Sequence, residues 1–190
     1  MRNEKLAQLE TKFDDATATL TIHRGGNQVA RGQISQKIGR TMIEDFFAAF
    51  MKEEARGRPK LVEAATGHTL SDHDSPVISI INLNSVRDLA RVVGSEIDPR
   101  RFRGNFMIDG LDPWAEFDLP GNQVVIGDAV LNIEVPIDRC AATNVNPQTA
   151  VRDMNIPKDM MRGYGHIDCG VFASVAKDGI VNVGDEISIL

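Results

Sequence analysis

The second half of the chain consists of short apolar runs separated by turn residues. From Arg103 onward, valine- and isoleucine-rich segments alternate with glycine, proline and aspartate. The expected strands are residues 105–108, 123–126, 129–137, 170–176, 180–182 and 186–190, and a buried strand at 76–81 precedes them. Many short strands with glycine and proline punctuation predict a β-barrel or a closed sandwich with two helices packed on it.

The first part of the chain predicts a hairpin and a helix. Residues 17–34 alternate around a Gly25-Gly26-Asn27 turn, and residues 36–54 carry apolar side chains at three-to-four spacing. A second helix is expected at 85–93, closed by Gly94 and capped by Asn84 or Ser85. The predicted class is therefore mainly β (α+β). Its expected domains are residues 1–60, a hairpin plus a helix, and residues 61–190, the barrel.

Composition excludes several function classes. The chain has 190 residues, a net charge of −6 and two cysteines. An acidic chain is a poor partner for nucleic acid, and no apolar run reaches the roughly 18 residues that span a bilayer. Two cysteines cannot form a disulfide scaffold or a four-cysteine zinc site, so we expect a reduced, cytoplasmic protein.

Cys140 is the first candidate for chemistry. It follows a strongly apolar strand, opens a polar loop and stands beside Arg139. Loop access and a neighbouring positive charge favour the thiolate, the form that ligates metals or attacks substrates. An arbitrary cysteine is more often a small buried hydrophobe, and for Cys169, which enters a strand, that interpretation is clearly better.

Two further clusters have a functional and a structural interpretation. Arg100, Arg101 and Arg103 suit an anion such as phosphate, or form a solvated basic rim. The loop that holds His68, Asp72, His73 and Asp74 has zinc-ligand residue types, but its spacing favours a metal-free loop. The sequence has no G-x-G-x-x-G unit, P-loop or C-x-x-C pair, which excludes an intrinsic nucleotide cradle or redox dithiol.

Six motifs in order resemble a known family. They are residues 78–89, the R-F-R-G-N run at 101–105, W-A-E at 114–116, I-G-D at 126–128, R-C-A-A-T-N-V-N-P at 139–147 and V-G-D at 183–185. Residues 76–190 resemble the MOSC domain, the C-terminal domain of molybdenum cofactor sulfurases. The similarity is greatest to the branch of the mitochondrial amidoxime-reducing component and its bacterial relatives. Residues 12–55 resemble the tail of the small β-rich domain that precedes MOSC there.

The resemblance implies a molybdopterin site. Cys140 matches the cysteine that ligates molybdenum, and it would be both the metal ligand and the catalytic residue. The cofactor-binding residues implied are Arg103, Asn105, Asn82, Ser85, Asp138 and Arg139. One thiolate suffices, because the pterin dithiolene supplies the other sulfur ligands, and arginine suits the anionic pterin phosphate.

Two departures from the family pattern carry expectations. Gly104 stands where the family has proline, which should loosen the turn. Relatives carry several dozen residues before the segment that resembles Met1–Leu6, and that part supplies further cofactor contacts. A β-domain without its first strands exposes strand edges, so we expect the segment before Lys60 to be partly rearranged or to pair with a second copy of the chain as a homodimer.

The implied activity is a reductase of small N-hydroxylated or N-oxide compounds, which removes an oxygen atom in a two-electron step at the metal. Electrons would come from external proteins that carry flavin, haem or iron–sulfur groups. A non-catalytic carrier of molybdenum cofactor or sulfur is the alternative, and a structural domain without cofactor is the third. Pyridoxal phosphate is not expected, because it belongs to the aminotransferase-like domain that sulfurases fuse to MOSC.

Overall fold

The computed structural model describes residues 3–64 and 75–190. These residues divide into two compact units, one formed by 3–64 with 145–153 and the other by 75–144 with 154–190. The predicted polar loop with His68, Asp72, His73 and Asp74 lies outside the described residues. The domain boundary expected near residue 60 stays a prediction.

The first unit is a three-stranded antiparallel sheet with one helix. Its strands are β1 (Leu9–Asp14), β2 (Thr19–Arg24) and β3 (Asn27–Gln33), and its helix is α1 (Lys37–Met51). Gly25 and Gly26 take φ of +56° and +78°, as a tight hairpin turn requires, so the predicted hairpin is confirmed. α1 packs on β3, where a Cβ added to Gly32 would collide with the Gly39 carbonyl.

A later segment, residues 145–153, completes the first unit. Gln8 donates from Nε2 to the Thr149 carbonyl at 3.2 Å, and Arg152 Nε lies 2.6 Å from Glu4 Oε1. β1, by contrast, is an edge strand with five of its six residues exposed. A homodimer formed through this edge stays a prediction.

The second unit is built on a curled six-stranded sheet. Its strands are β4 (Ile78–Asn82), β5 (Phe106–Ile108), β6 (Gln123–Ile126), β7 (Ala129–Asp138), β8 (Asp168–Lys177) and β9 (Ile187–Ile189), in the order β5-β4-β8-β7-β6-β9. Residues of both edge strands, β5 and β9, line one cleft of about 860 Å³, so the sheet bends round into a half-barrel. The predicted mainly β (α+β) class is confirmed.

One predicted strand is wrong. Residues 180–182 form a loop, in which the Ile180 carbonyl accepts the Asp128 N–H at 3.1 Å. That hydrogen bond holds the loop against the turn at Gly127. Val181 packs against the core of the sheet whereas Ile180 is 69% exposed, and the backbone of this segment does not join the sheet.

Two helices, α2 (Leu83–Val93) and α3 (Ile156–Tyr164), pack on the sheet of the second unit. The predicted N-cap of α2, Asn84 or Ser85, was wrong by two or three residues. Asn82 caps the helix by accepting the Asn84 N–H at 3.0 Å, because the helix begins directly at the end of β4. Gly94 ends it at φ +77°, as expected.

β4 and β8 each serve two apolar cores. Ile80 joins the cluster inside the curled sheet, whereas Ile81 joins the cluster under α2 and α3. On β8, Cys169 faces the helices and Val171 the inside of the sheet, although residues two apart in a strand normally share a face. Gly170, at φ +79° between them, reverses the alternation.

Candidate cofactor site at Cys140

Cys140 lies just beyond the end of β7, at the surface. Its thiol is free and exposed, and a short 3₁₀-helix, Ala141–Asn144, follows it. The Ala142 N–H donates to Sγ at 3.4 Å, while Thr143 donates to the Cys140 carbonyl from its N–H at 3.2 Å and its hydroxyl at 2.9 Å. The backbone around the sulfur is therefore fixed, and the sulfur itself faces solvent.

The thiol opens into a cleft of about 590 Å³. Every lining residue belongs to the second unit. They come from the start of β4, the end of β7 and the loop after it, the middle of β8, and the segment before β5. They are Val77, Ser79, Arg101, Phe102, Arg103, Asn105, Ile137, Asp138, Arg139, Cys140, Ala142, Thr143 and Phe172. Five of the seven residues predicted as site residues thus meet in one place: Arg103, Asn105, Asp138, Arg139 and Cys140.

Arg139 is a buried cation in the wall of this cleft. Its Nε donates to the Cys169 carbonyl at 2.7 Å, its Nη2 donates to the same oxygen, and its Nη1 donates to the Phe102 carbonyl at 3.1 Å. Its guanidinium carbon also lies 5.6 Å from the Phe102 ring centre. Burial lowers the pKa of Arg139, but a guanidinium stays protonated in proteins, so the wall keeps its positive charge.

Arg101 and Arg103 add positive charge to the lining of the cleft. Arg101 is buried and donates from Nη1 to the Asn144 carbonyl at 3.1 Å, which ties the loop after Cys140 to the segment before β5. Arg103 is exposed, and its side chain makes no hydrogen bond or ion pair with the described residues. It is therefore available to an anionic ligand.

Asn105 and Asp138 complete the polar lining. Asn105 Oδ1 accepts the Ser79 N–H and hydroxyl, both at 2.9 Å, so that side chain is anchored to β4. Asp138 stands two residues before Cys140, and residues two apart in an extended chain point to the same side. Its carboxylate makes no hydrogen bond or ion pair with any described residue.

Asn82 and Ser85 are placed elsewhere. Both are completely buried and do not line the cleft. Glu116 Oε2 accepts Asn82 Nδ2 at 2.9 Å and the Ser85 hydroxyl at 2.7 Å, while the Ser85 hydroxyl accepts the Trp114 N–H at 2.8 Å. We call the side chains of Asn82, Ser85 and Glu116 the Glu116 network. Its members hold β4, α2 and the W-A-E segment together.

The second cysteine has the opposite environment. Cys169 is completely buried under α2 and α3, and burial raises the pKa of its thiol to about 12. Its structure matches the small buried hydrophobe expected from the sequence. Cys140 is therefore the accessible thiol of the pair.

Some cleft residues gave no sequence signal. Ser79 and Phe172 face each other across the β4–β8 pair, and that register cannot be read from residue types. Thr143 was visible only as part of the loop after Cys140. Arg101 was part of the arginine run in the sequence. Its position in the cleft supports the interpretation that this run binds an anion.

The chemistry of the lining suits an anionic ligand that carries a soft metal. Three arginines and one aspartate face the cleft in a chain of net charge −6, so the basic character is local. A single exposed thiol supplies one soft ligand. In the described part of the chain, no group of three or more histidine, cysteine, aspartate or glutamate side chains could hold a metal alone. The lining of the cleft itself offers one thiol and one carboxylate as metal ligands, from Cys140 and Asp138.

The chain belongs to the MOSC domain family. The MOSC domain model matches residues 67–188, a range that contains the whole cleft. This confirms the resemblance drawn from the six motifs. The family is associated with the molybdenum cofactor, and the lining of the cleft fits such a group.

Curated relatives come from the expected branch. Mitochondrial amidoxime-reducing component 1 of Mus musculus is 24% identical over 156 residues, covering 76% of this chain and 45% of the relative. The Homo sapiens protein of that name is 26% identical over 129 residues, covering 62% and 38%. The chain thus spans less than half the length of these relatives.

Solved structures were also matched. YiiM from Geobacillus stearothermophilus aligns with a TM-score of 0.47 at 18% identity, over 60% of this chain and 53% of that one. The YuaD protein from Bacillus subtilis aligns with a TM-score of 0.45 at 22% identity, over 59% of this chain and 62% of that one. Within residues 3–64 and 75–190, no helix has both the length and the apolar character needed to cross a membrane.

Proposed function

We propose that the chain binds the molybdenum cofactor through Cys140 and reduces small N-hydroxylated or N-oxide compounds. The observation that carries this proposal is the exposed Cys140 thiol in a cleft whose other charges are mostly arginines. Cys140 would ligate the metal, and Arg103 would pair with the pterin phosphate. Buried Arg139 would contribute its fixed charge, while Asn105 and Asp138 would contact the rest of the group.

The bound cofactor would supply two-electron removal of oxygen from the substrate. For an amidoxime, the N–O bond breaks, two electrons and two protons enter, and the products are an amidine and water. The electrons come from an external flavin, haem or iron–sulfur protein. The chain's own residues hold the cofactor and shape the cleft above Cys140.

Metal and pterin analysis tests the binding step. Parent, Cys140→Ser and Cys169→Ser chains are purified from a host that makes the cofactor. Serine replaces a soft ligand with a hard one, so we expect Cys140→Ser to lose most of its molybdenum. Cys169→Ser is the control that removes the other thiol, and it should keep the parent's molybdenum content. Equal molybdenum in parent and Cys140→Ser chains would contradict the ligand assignment.

The exposed position of Cys140 also suits a carrier that passes cofactor or sulfur to another protein. Turnover separates the two functions. The loaded chain is mixed with benzamidoxime and an artificial electron donor, and benzamidine is measured. Loaded chain that forms no benzamidine, but transfers its molybdenum to an acceptor apoenzyme, would favour the carrier.

A further inference from the structure

We propose that the cleft between the two edges of the curled sheet binds an extended, basic segment of a partner polypeptide as an added β-strand. The proposal does not depend on the cofactor. It rests on the backbone edges, the apolar lining and the charge of this second cleft, which has about 860 Å³ of space. We call it the edge cleft, lined by residues 105–111, 126 and 181–187.

Two strand edges border the edge cleft. Among the described residues, β5 pairs with β4 alone and β9 pairs with β6 alone. The outer backbone groups of both strands therefore have no strand partner. Strand edges of this kind accept a further strand, and a strand inserted here would extend the sheet towards closure.

The side chains of the edge cleft suit a peptide with alternating apolar residues. Phe106 and Ile187 pack partly against the core inside the sheet, so an entering apolar side chain would continue that core. At the opening of the cleft, the side chain of Met107 is 37% exposed and that of Val183 is fully exposed. A strand with every second side chain apolar would cover both groups.

The charge of the edge cleft selects the partner. Its lining has three carboxylates, from Asp109, Asp185 and Glu186, and no lysine or arginine. Asp109 is paired with Arg87 and Asp185 accepts the Asn182 N–H, whereas Glu186 makes no hydrogen bond or ion pair with the described residues. A second copy of the chain has a net charge of −6, so it brings no net positive charge to complement this acidic lining. A basic strand is attracted and an acidic one rejected.

The two clefts have one residue in common. Asn105 lines both the edge cleft and the cleft at Cys140. Its Oδ1 is anchored to Ser79, so a strand added along β5 would end beside a fixed part of the other cleft. The partner segment would thus sit next to the candidate cofactor site without occupying it.

Binding of two blocked hexapeptides to the full chain tests the proposal. One alternates valine with lysine and the other valine with glutamate, and both carry a fluorophore for anisotropy. We expect saturable binding of the lysine peptide alone, weakened by added salt. Amide NMR shifts should concentrate in residues 106–108 and 187–189.

Matched variants locate the binding. Met107→Lys places a positive charge at the cleft opening and should weaken the lysine peptide roughly tenfold. Met161→Lys makes the same change at an exposed position on α3 and should leave binding as in the parent. Glu186→Gln should weaken it less, and exposed Glu96→Gln not at all.

Three results would overturn the proposal: equal binding of the two peptides, equal weakening by Met107→Lys and Met161→Lys, or self-association of the chain that Met107→Lys abolishes. The last result would make a second copy the occupant. None of these measurements needs molybdenum. Failure here therefore leaves the proposed cofactor function untouched, and loss of cofactor binding leaves this proposal standing.

Discussion

Arg139 and Glu116 bond to opposite ends of one buried peptide group. The peptide joins Cys169 to Gly170. Arg139 Nε donates to the Cys169 carbonyl of this peptide at 2.7 Å. The Gly170 N–H of the same peptide donates to Glu116 Oε1 at 3.4 Å. Because Arg139 directly precedes Cys140, a single peptide connects the candidate metal ligand to the Glu116 network.

We expect Glu116→Gln to destabilise the fold by about 1–3 kcal/mol, since the amide leaves a buried donor facing another donor. In one orientation of the glutamine amide, Asn82 and the Ser85 hydroxyl lose their shared acceptor. In the other orientation, the Gly170 N–H loses its acceptor. Urea unfolding measures the change. The control, Glu96→Gln at an exposed site, should stay within about 0.5 kcal/mol of the parent. Equal stability of the two variants would contradict a structural role for the Glu116 network.

Gly170→Ala should lower the free energy of unfolding by much more than the positive φ of Gly170 alone explains. A Cβ at Gly170 would collide with the Ile80 carbonyl and lie 2.7 Å from Ile81 Cδ1. Gly94 has nearly the same φ, +77°, with nothing within 4 Å of an added Cβ. Gly94→Ala should therefore cost about 1 kcal/mol and Gly170→Ala at least about 3. Thermal and urea unfolding of both variants would show the difference, and similar losses would count against the collision.

Gly104→Ala should also destabilise the chain, by about 1–3 kcal/mol. The comparison with the family pattern predicted that glycine loosens this turn, and the structure adds that a Cβ here would collide with Ile81 Cγ1. A proline there would meet the same side chain. A double-mutant cycle with Ile81→Ala checks the cause, because removing Cγ1 should recover much of the cost. Additive losses in the double variant would place the strain elsewhere.

Cys169 should make stability fall at high pH. Burial is the main reason that the pKa of its thiol rises from 9.0 to about 12, with a smaller contribution from Glu116 and an opposing one from Arg139. The unfolded thiol ionises above about pH 9 while the folded thiol stays protonated, so raising the pH favours unfolding. At pH ~10.5 this costs about 2 kcal/mol. Between pH ~8 and pH ~10.5 the parent should lose about 2 kcal/mol more free energy of unfolding than Cys169→Ala. The same pH dependence in both chains would exclude Cys169 as its source.

The family resemblance named five residues that the structure brings together in the cleft at Cys140, because they lie in short recognisable motifs. Cys140, Asp138 and Arg139 are consecutive or nearly so, and Arg103 and Asn105 share one short run. The sequence could not predict the direction in which each side chain points. Asn82 and Ser85 flank the start of α2, and only the fold shows that they turn towards Glu116.

The missed elements have physical reasons too. β1 lies in a polar stretch with little apolar alternation, so its pairing with β2 is what defines it. α3 is short and contains Pro157 and Gly163. Proline is acceptable there because it occupies the first turn, where its missing N–H costs nothing. Such a helix depends on burying Ile156 and Met160 more than on its own propensity.

The discontinuity of the first unit has a consequence for how the chain folds during synthesis. Residues 145–153 belong to the unit begun by residues 3–64, so that unit cannot be completed before Asp153 has left the ribosome. Most of the second unit has been made by then. The contacts of Gln8 with Thr149 and of Glu4 with Arg152 therefore form only after that point. The hairpin of β2 and β3, whose residues are adjacent in the chain, can form while Cys140 and its loop are still being translated.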